Sequence, residues 1–167
     1  MSTAPLHDDR LSFASLTPNN VGTVRKLHST IIPVKYSDSF YRNILSPEVE
    51  DFCKLVYYND IPVGTACCRL ETSDPSKVSL YCMTMAILGP YRDRKLGSEC
   101  LQSIITAAAS HAKPQIHRVY LHVQVSNHSA KRFYERHGFK EVGIQEDYYK
   151  KIEPRDAWIL EKTLNTT

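Results

Sequence analysis

The stretch Gly89–Leu101, GPYRDRKLGSECL, gathers Arg92, Arg94 and Lys95 just ahead of a segment with helical periodicity. Cations at the start of a helix suit an anion, because the first amides there lack partners and the helix dipole favours negative charge. The residues by themselves fit a solvated strand-to-helix loop equally well. A dinucleotide fingerprint requires three spaced glycines, and this stretch has only Gly89 and Gly97. The chemistry on offer is phosphate binding of another kind.

The flanking elements set the context. Val78–Leu88 is almost unbrokenly apolar, as a strand buried on both faces requires. From Leu96 to Ala112, Leu96, Cys100, Leu101, Ile104, Ile105 and Ala108 form one helical stripe. In His117–Val125, Val119, Leu121, Val123 and Val125 alternate with Tyr120, His122 and Gln124. Strand, helix, strand predicts a crossover joining parallel neighbours. Upstream, Thr17-Pro18-Asn19-Asn20 reads as the cap of a helix carrying Val21, Val24, Leu27 and His28, and a second short helix is expected over Pro47–Lys54. Leu55–Asn59 and Ile61–Leu70 read as an antiparallel pair about an Asn59-Asp60 turn, ended by the polar run Glu71–Lys77. Ser129–His137 fits a short helix stopped by Gly138. Phe139–Gly143 and Ala157–Leu164 supply the last strands. The fold class is α/β with a mixed sheet, antiparallel strands first and one parallel pair at its centre.

At 167 residues, 42% hydrophobic and 23% charged, with a net charge of +3, the chain is expected to be a single domain over 1–167, with 1–11 and 165–167 as loose ends. The charge is too small and scattered for a nucleic-acid binder. Cys53, Cys67, Cys68, Cys82 and Cys100 show no metal-ligand spacing. A reducing compartment suits them. The start, MSTAPLHDDR, has no signal-peptide pattern, and no stretch approaches the ~20 apolar residues of a membrane span. The expectation is a soluble intracellular domain without a metal.

Asn127–Phe139 reads NHSAKRFYERHGF. With GPYRDRKLGSECL one crossover earlier, it resembles the GNAT acetyltransferases, which carry an N-x-x-A-x-x-F-Y-x-x-x-G-F segment and an Arg/Gln-x-x-Gly-x-Gly/Ala phosphate loop. Asn127, Ala130, Phe133, Tyr134, Gly138 and Phe139 meet the first pattern. Arg92 and Gly97 match the second, and Lys95 stands where its first glycine falls. IIPVKYSDSFY, YYNDIPVGTACCR, LYCMTM, YLHVQVSN and YYKKIEPRDA further resemble the catalytic subunits of NatE N-terminal acetyltransferases, from about Thr17 to Lys162.

That resemblance implies transfer of acetyl from acetyl-CoA to protein N-termini beginning with Met followed by a hydrophobic or other residue, during translation. A terminal amine with a pKa near ~8 is mostly protonated at neutral pH, so a general base helps. The resemblance puts Tyr81 and His122 in that role, on the two strands of the crossover pair, acting through an ordered water. It sets coenzyme A against Met85, Ala86 and Ile87, the loop residues Arg92, Arg94, Lys95, Leu96, Gly97 and Ser98, and Asn127, Ala130, Phe133 and Tyr134. Tyr134 would protonate the departing thiolate. The peptide slot would be walled by Ile32, Pro33, Val34, Tyr36, Met83, Tyr148, Tyr149 and Ile152, with Ile32 replacing the family's aromatic residue.

A first helical turn has negative φ, so Lys95 is expected to donate its amide as glycine would, and coenzyme A binding to survive. The partners implied are the NatA complex and the ribosome, and the place the cytoplasm or nucleus, with no membrane and no direct nucleic acid contact. Two other functions stay open: a catalytically weak NatE subunit serving as a structural partner, and a lysine or small-amine acetyltransferase.

Overall fold

The computed structural model describes residues 10–74, 76–92 and 94–164. One seven-stranded sheet runs through them in the order β1-β2-β3-β4-β5-β7-β6. Its strands are β1 (Leu11–Ser15), β2 (Lys54–Tyr58), β3 (Ile61–Asp74), β4 (Lys77–Ile87), β5 (Ile116–Gln124), β6 (Lys140–Gln145) and β7 (Ala157–Thr163). The helices are α1 (Val21–Ile31), α2 (Asp38–Asn43), α3 (Leu96–Ser110) and α4 (His128–Arg136), with a 3-10 turn at Pro47–Phe52. β4 and β5 are the parallel pair, and α3 is the crossover between them.

Local chemistry accounts for most boundaries. Asn59 and Asp60 have φ of 51° and 63°, the paired left-handed residues of a tight β2–β3 hairpin. Asn20 Oδ1 accepts from Thr17 N at 2.7 Å ahead of α1. Ser37 caps α2 by accepting from Phe40 N at 3.2 Å. Gly138, at φ 89°, follows α4 in the conformation only glycine adopts cheaply, and its amide donates to Glu135 O at 3.0 Å.

Some expectations change. Leu11, assigned to a loose end, opens β1 and pairs with Tyr58; residues 1–9 and 165–167 lie outside the described residues. β3 does not stop at Leu70 but runs to Asp74, because Glu71 and Thr72 pair with Ser79 and Val78. The segment from Pro47 is a 3-10 turn ending at Phe52, and α2 has no counterpart in the sequence reading.

The core lies on both faces of the sheet. Cys67 is 4.0 Å from His28 of α1, while its neighbour Cys68 meets Cys53 and pairs with Cys82; adjacent strand residues point to opposite faces. Leu96, Cys100, Leu101, Ile104, Ile105 and Ala108 of α3 are buried, as are Val119, Leu121 and Val123 of β5. All five cysteines are buried free thiols.

Candidate active site at the parting of β4 and β5

The β4–β5 ladder runs from Val78–Ile116 only as far as Tyr81–Tyr120, although β4 continues to Ile87 and β5 to Gln124. The outer halves keep their other partners, β3 and β7. A bulge opens beside the last rung: Cys68 pairs with Cys82 and Cys67 with Thr84, leaving Met83 as the extra residue. The result is a wedge between two parallel strands, with backbone groups of Met83–Ile87 along one side. Met85, Ala86 and Ile87 lie there, with Ala86 buried.

Tyr81 and His122 meet at the mouth of the wedge. Tyr81 Oη is 2.8 Å from His122 Nδ1 and 2.5 Å from Tyr148 Oη. His122 stacks on Tyr148 with ring centres 4.1 Å apart. Burial, and then the bond to Tyr148, push the Tyr81 pKa well above that of an ordinary phenol, so Tyr81 stays neutral. Burial lowers the His122 pKa, against the pull of Glu71 and with the push of Arg69. A neutral imidazole beside a neutral phenol can take a proton: Tyr81 accepts one at oxygen as it passes its own to His122 Nδ1.

A second layer supports the pair and left no signal in the sequence. Tyr120 stacks on Tyr81 at 4.7 Å and donates to Glu71 Oε2 in a short hydrogen bond. Arg69 is bridged to the same carboxylate at 2.7 Å and lies over the Tyr81 ring. Only the longer β3 carries Glu71 here.

Of the expected substrate walls, Tyr36, Tyr148 and Tyr149 come near one another from two loops. Tyr36, between α1 and α2, stacks on Phe40 at 4.5 Å. Its hydroxyl pKa is raised by burial and by the neighbouring Tyr148 and Tyr149 hydroxyls, which come from the β6–β7 loop. That loop is tied to the sheet where Gln124 Nε2 donates to Pro154 O at 2.9 Å, and is closed on itself where Asp147 N donates to Asp156 Oδ1 at 3.0 Å. Ile32, Met83 and Ile152 are half-buried, while Pro33 and Val34 are exposed.

The phosphate loop differs from expectation. Lys95 is the N-cap of α3 with φ 62° and ψ 12°, so the position demands the left-handed backbone that a glycine accommodates and a lysine strains to reach. Lys95 stands one residue before the first helical turn, so its φ is positive where the expectation had it negative. Leu96 is buried and can offer only its amide; Gly97 packs under Phe133, and Ser98 bonds His137 Nε2 at 3.0 Å. Arg92 Nε donates to Ile87 O at 3.0 Å, and Arg94 lies over the Tyr58 ring. Asn127, read as a cofactor contact, spends its side chain as the N-cap of α4, accepting from Ala130 N at 3.2 Å. The N-x-x-A-x-x-F-Y-x-x-x-G-F pattern is thus largely a helix with its two caps, presenting Phe133 and Tyr134.

Tyr134 is buried, its ring edge-on to those of Phe133 and Phe139. Burial pushes its pKa well up, leaving a protonated donor. A wedge of open strand edges, the amides of α3 at its outer end and a protonated phenol fit a long thioester carrying a diphosphate: acetyl-CoA.

The model of the acetyltransferase (GNAT) family matches residues 22–139. The chain belongs to that family. Among GNAT relatives, N-alpha-acetyltransferase 50 of Danio rerio is 40% identical over 157 residues, covering 94% of this chain and 90% of that one. The probable N-acetyltransferase san of Drosophila melanogaster is 39% identical, covering 94% and 83%. Naa50 of Arabidopsis thaliana, solved in complex with the bisubstrate analogue CoA-Ac-MVNAL, superposes with a TM-score of 0.84 at 33% identity, covering 92% of this chain and 98% of that one.

Proposed function

We propose that this chain is an N-terminal acetyltransferase that uses acetyl-CoA to acetylate the α-amine of proteins beginning with methionine. The observation that carries it is the Tyr81–His122 contact at 2.8 Å, set at the mouth of the wedge and walled by Tyr36, Tyr148 and Tyr149. Its likeness to the Danio rerio and Arabidopsis thaliana proteins supports the choice of an N-terminal amine.

Acetyl-CoA supplies the acetyl group as an activated thioester. The chain's residues do the rest. The amides at the start of α3 hold the diphosphate, and the open edge of β4 orients the chain of the cofactor. Tyr36 and Tyr149 hold the peptide backbone while Ile32, Pro33, Val34, Met83 and Ile152 enclose the first side chain. The amine's proton passes to Tyr81 and onward to His122, and Tyr134 stands ready to donate one at the sulfur. Association with the NatA complex and the ribosome, and a cytoplasmic place, belong to this proposal on the subfamily resemblance.

The left-handed Lys95 favours one rival, a subunit with a weakened cradle that serves a larger assembly. Mass spectrometry of peptides incubated with the protein and acetyl-CoA separates the readings. Acetylation of the α-amine of Met-initiated peptides, and not of internal lysines, is expected. Acetylation of lysines alone would overturn the proposal, and no acetylation would favour the structural subunit.

A further inference from the structure

His28 is 1% exposed, and a buried imidazole is costly unless both its nitrogens are satisfied. Here both are. Nδ1 is 3.1 Å from Tyr41 Oη on α2. Nε2 is 3.0 Å from Thr65 Oγ1 on β3 and 3.3 Å from Thr84 Oγ1 on β4. One side chain of α1 therefore ties together α2 and two strands. Burial holds its pKa down at about 4, so the ring is neutral. Each hydroxyl can turn to donate or accept, whichever nitrogen carries the hydrogen.

The ring also carries the first wall of the slot. Its centre lies 5.3 Å from that of Tyr36 and 5.9 Å from that of Phe40, and these two stack on one another. The segment 32–37 between α1 and α2 has no regular structure and exposes Pro33 and Val34. Its placement depends on what lies beneath Tyr36. Thr84 follows the Met83 bulge in β4, so the anchor reaches the strand that borders the wedge.

We propose that His28 is a positioning residue for the peptide slot: by bonding Tyr41, Thr65 and Thr84 and supporting the Tyr36–Phe40 stack, it sets the 32–37 wall against β3 and β4, and so governs affinity for the peptide and not for the cofactor. This rests on the N-terminal acetyltransferase reading for the identity of the peptide. It touches no reacting atom.

His28→Leu leaves three hydroxyls without their partner, and His28→Gln keeps a donor and an acceptor within reach. Hydrogen exchange followed by mass spectrometry on the full chain reads the wall directly. Exchange of the bonded amides that flank the wall, Ile32 at the end of α1 and Tyr41 and Ile44 at α2, is expected to quicken at least about tenfold in H28L, with 95–101 within about twofold of the original protein, because local opening sets the rate of bonded amides. In steady-state kinetics with a Met-initiated peptide, KM for the peptide rises at least about fivefold and kcat stays within about threefold, the mark of lost uniform binding. The calorimetric Kd for acetyl-CoA holds, and H28Q recovers most of the peptide KM. Unchanged exchange at these flanking amides in H28L overturns the inference, as does a peptide KM and an acetyl-CoA Kd that worsen together. Should H28L fail to fold, Thr65→Val removes one anchor while keeping shape, and unchanged exchange there is equally fatal. If the original protein acetylates no peptide, the functional reading falls and the exchange result still decides what His28 does.

Discussion

His122 and Tyr81 divide one proton according to their surroundings. Replacing His122 with alanine removes the final acceptor, and kcat is expected to fall at least about tenfold, the usual cost of losing a general base. The pH profile checks the sign. The active form is neutral imidazole and burial lowers its pKa below 6.5, so kcat/KM, besides the limb near ~8 set by the substrate amine, falls further as the pH drops through that lowered pKa. Persistence of this lower limb in H122A would contradict the assignment. Lys95 poses the opposite problem, a residue whose backbone disfavours it. Lys95→Gly relieves a left-handed lysine that costs about 1–2 kcal/mol, offset in part by the freer unfolded glycine. A stability gain of up to about 1 kcal/mol is expected by chemical denaturation, with tighter acetyl-CoA binding by calorimetry. A looser Kd would mean the Lys95 ammonium, not the loop shape, holds the phosphates.

Elements hold these residues through a few close approaches. Gly64 of β3 pairs with Ile87 at the end of β4, and a Cβ there would stand 2.5 Å from Ile87 Cδ1 and 2.7 Å from Ala86 O. Gly64→Ala therefore pushes β4 outward at the cofactor wedge. A loss of about 1–3 kcal/mol is expected from such overpacking, with a lowered melting temperature and weaker acetyl-CoA binding. A normal melting temperature would show that Ile87 turns aside freely. Three further elements were easy to read and one was not. α3 and β5 declare themselves by apolar spacing, and α4 by Asn127 and Gly138 at its ends. β1 is short, and Leu11–Ser15 becomes a strand because β2 offers it a partner.

At the scale of the whole molecule, His28 links the fold to pH. Its folded pKa of about 4 lies below the ordinary 6.5, so the unfolded chain binds the proton more readily. Stability is retained above 6.5 and lost as pH falls toward 4, by up to ~3 kcal/mol from this group. His122 and His137, also lowered, add to the slope. Denaturation midpoints measured across that window should fall in the original protein and fall less in H28Q; equal slopes would remove His28 from the account. The sequence by itself determined the parallel crossover, the antiparallel opening strands and the segments that carry the family likeness, because apolar periodicity and caps are written within one element. It also named Tyr81, His122 and Tyr148, though only through resemblance. Only the tertiary structure decided that the three share hydrogen bonds, that Glu71 stands behind Tyr120, that Lys95 is left-handed and that His28 bonds Tyr41, Thr65 and Thr84. These depend on which strands pair, where a ladder stops and how a loop closes between fixed ends, and residues 37 to 67 positions apart meet only once the sheet has formed.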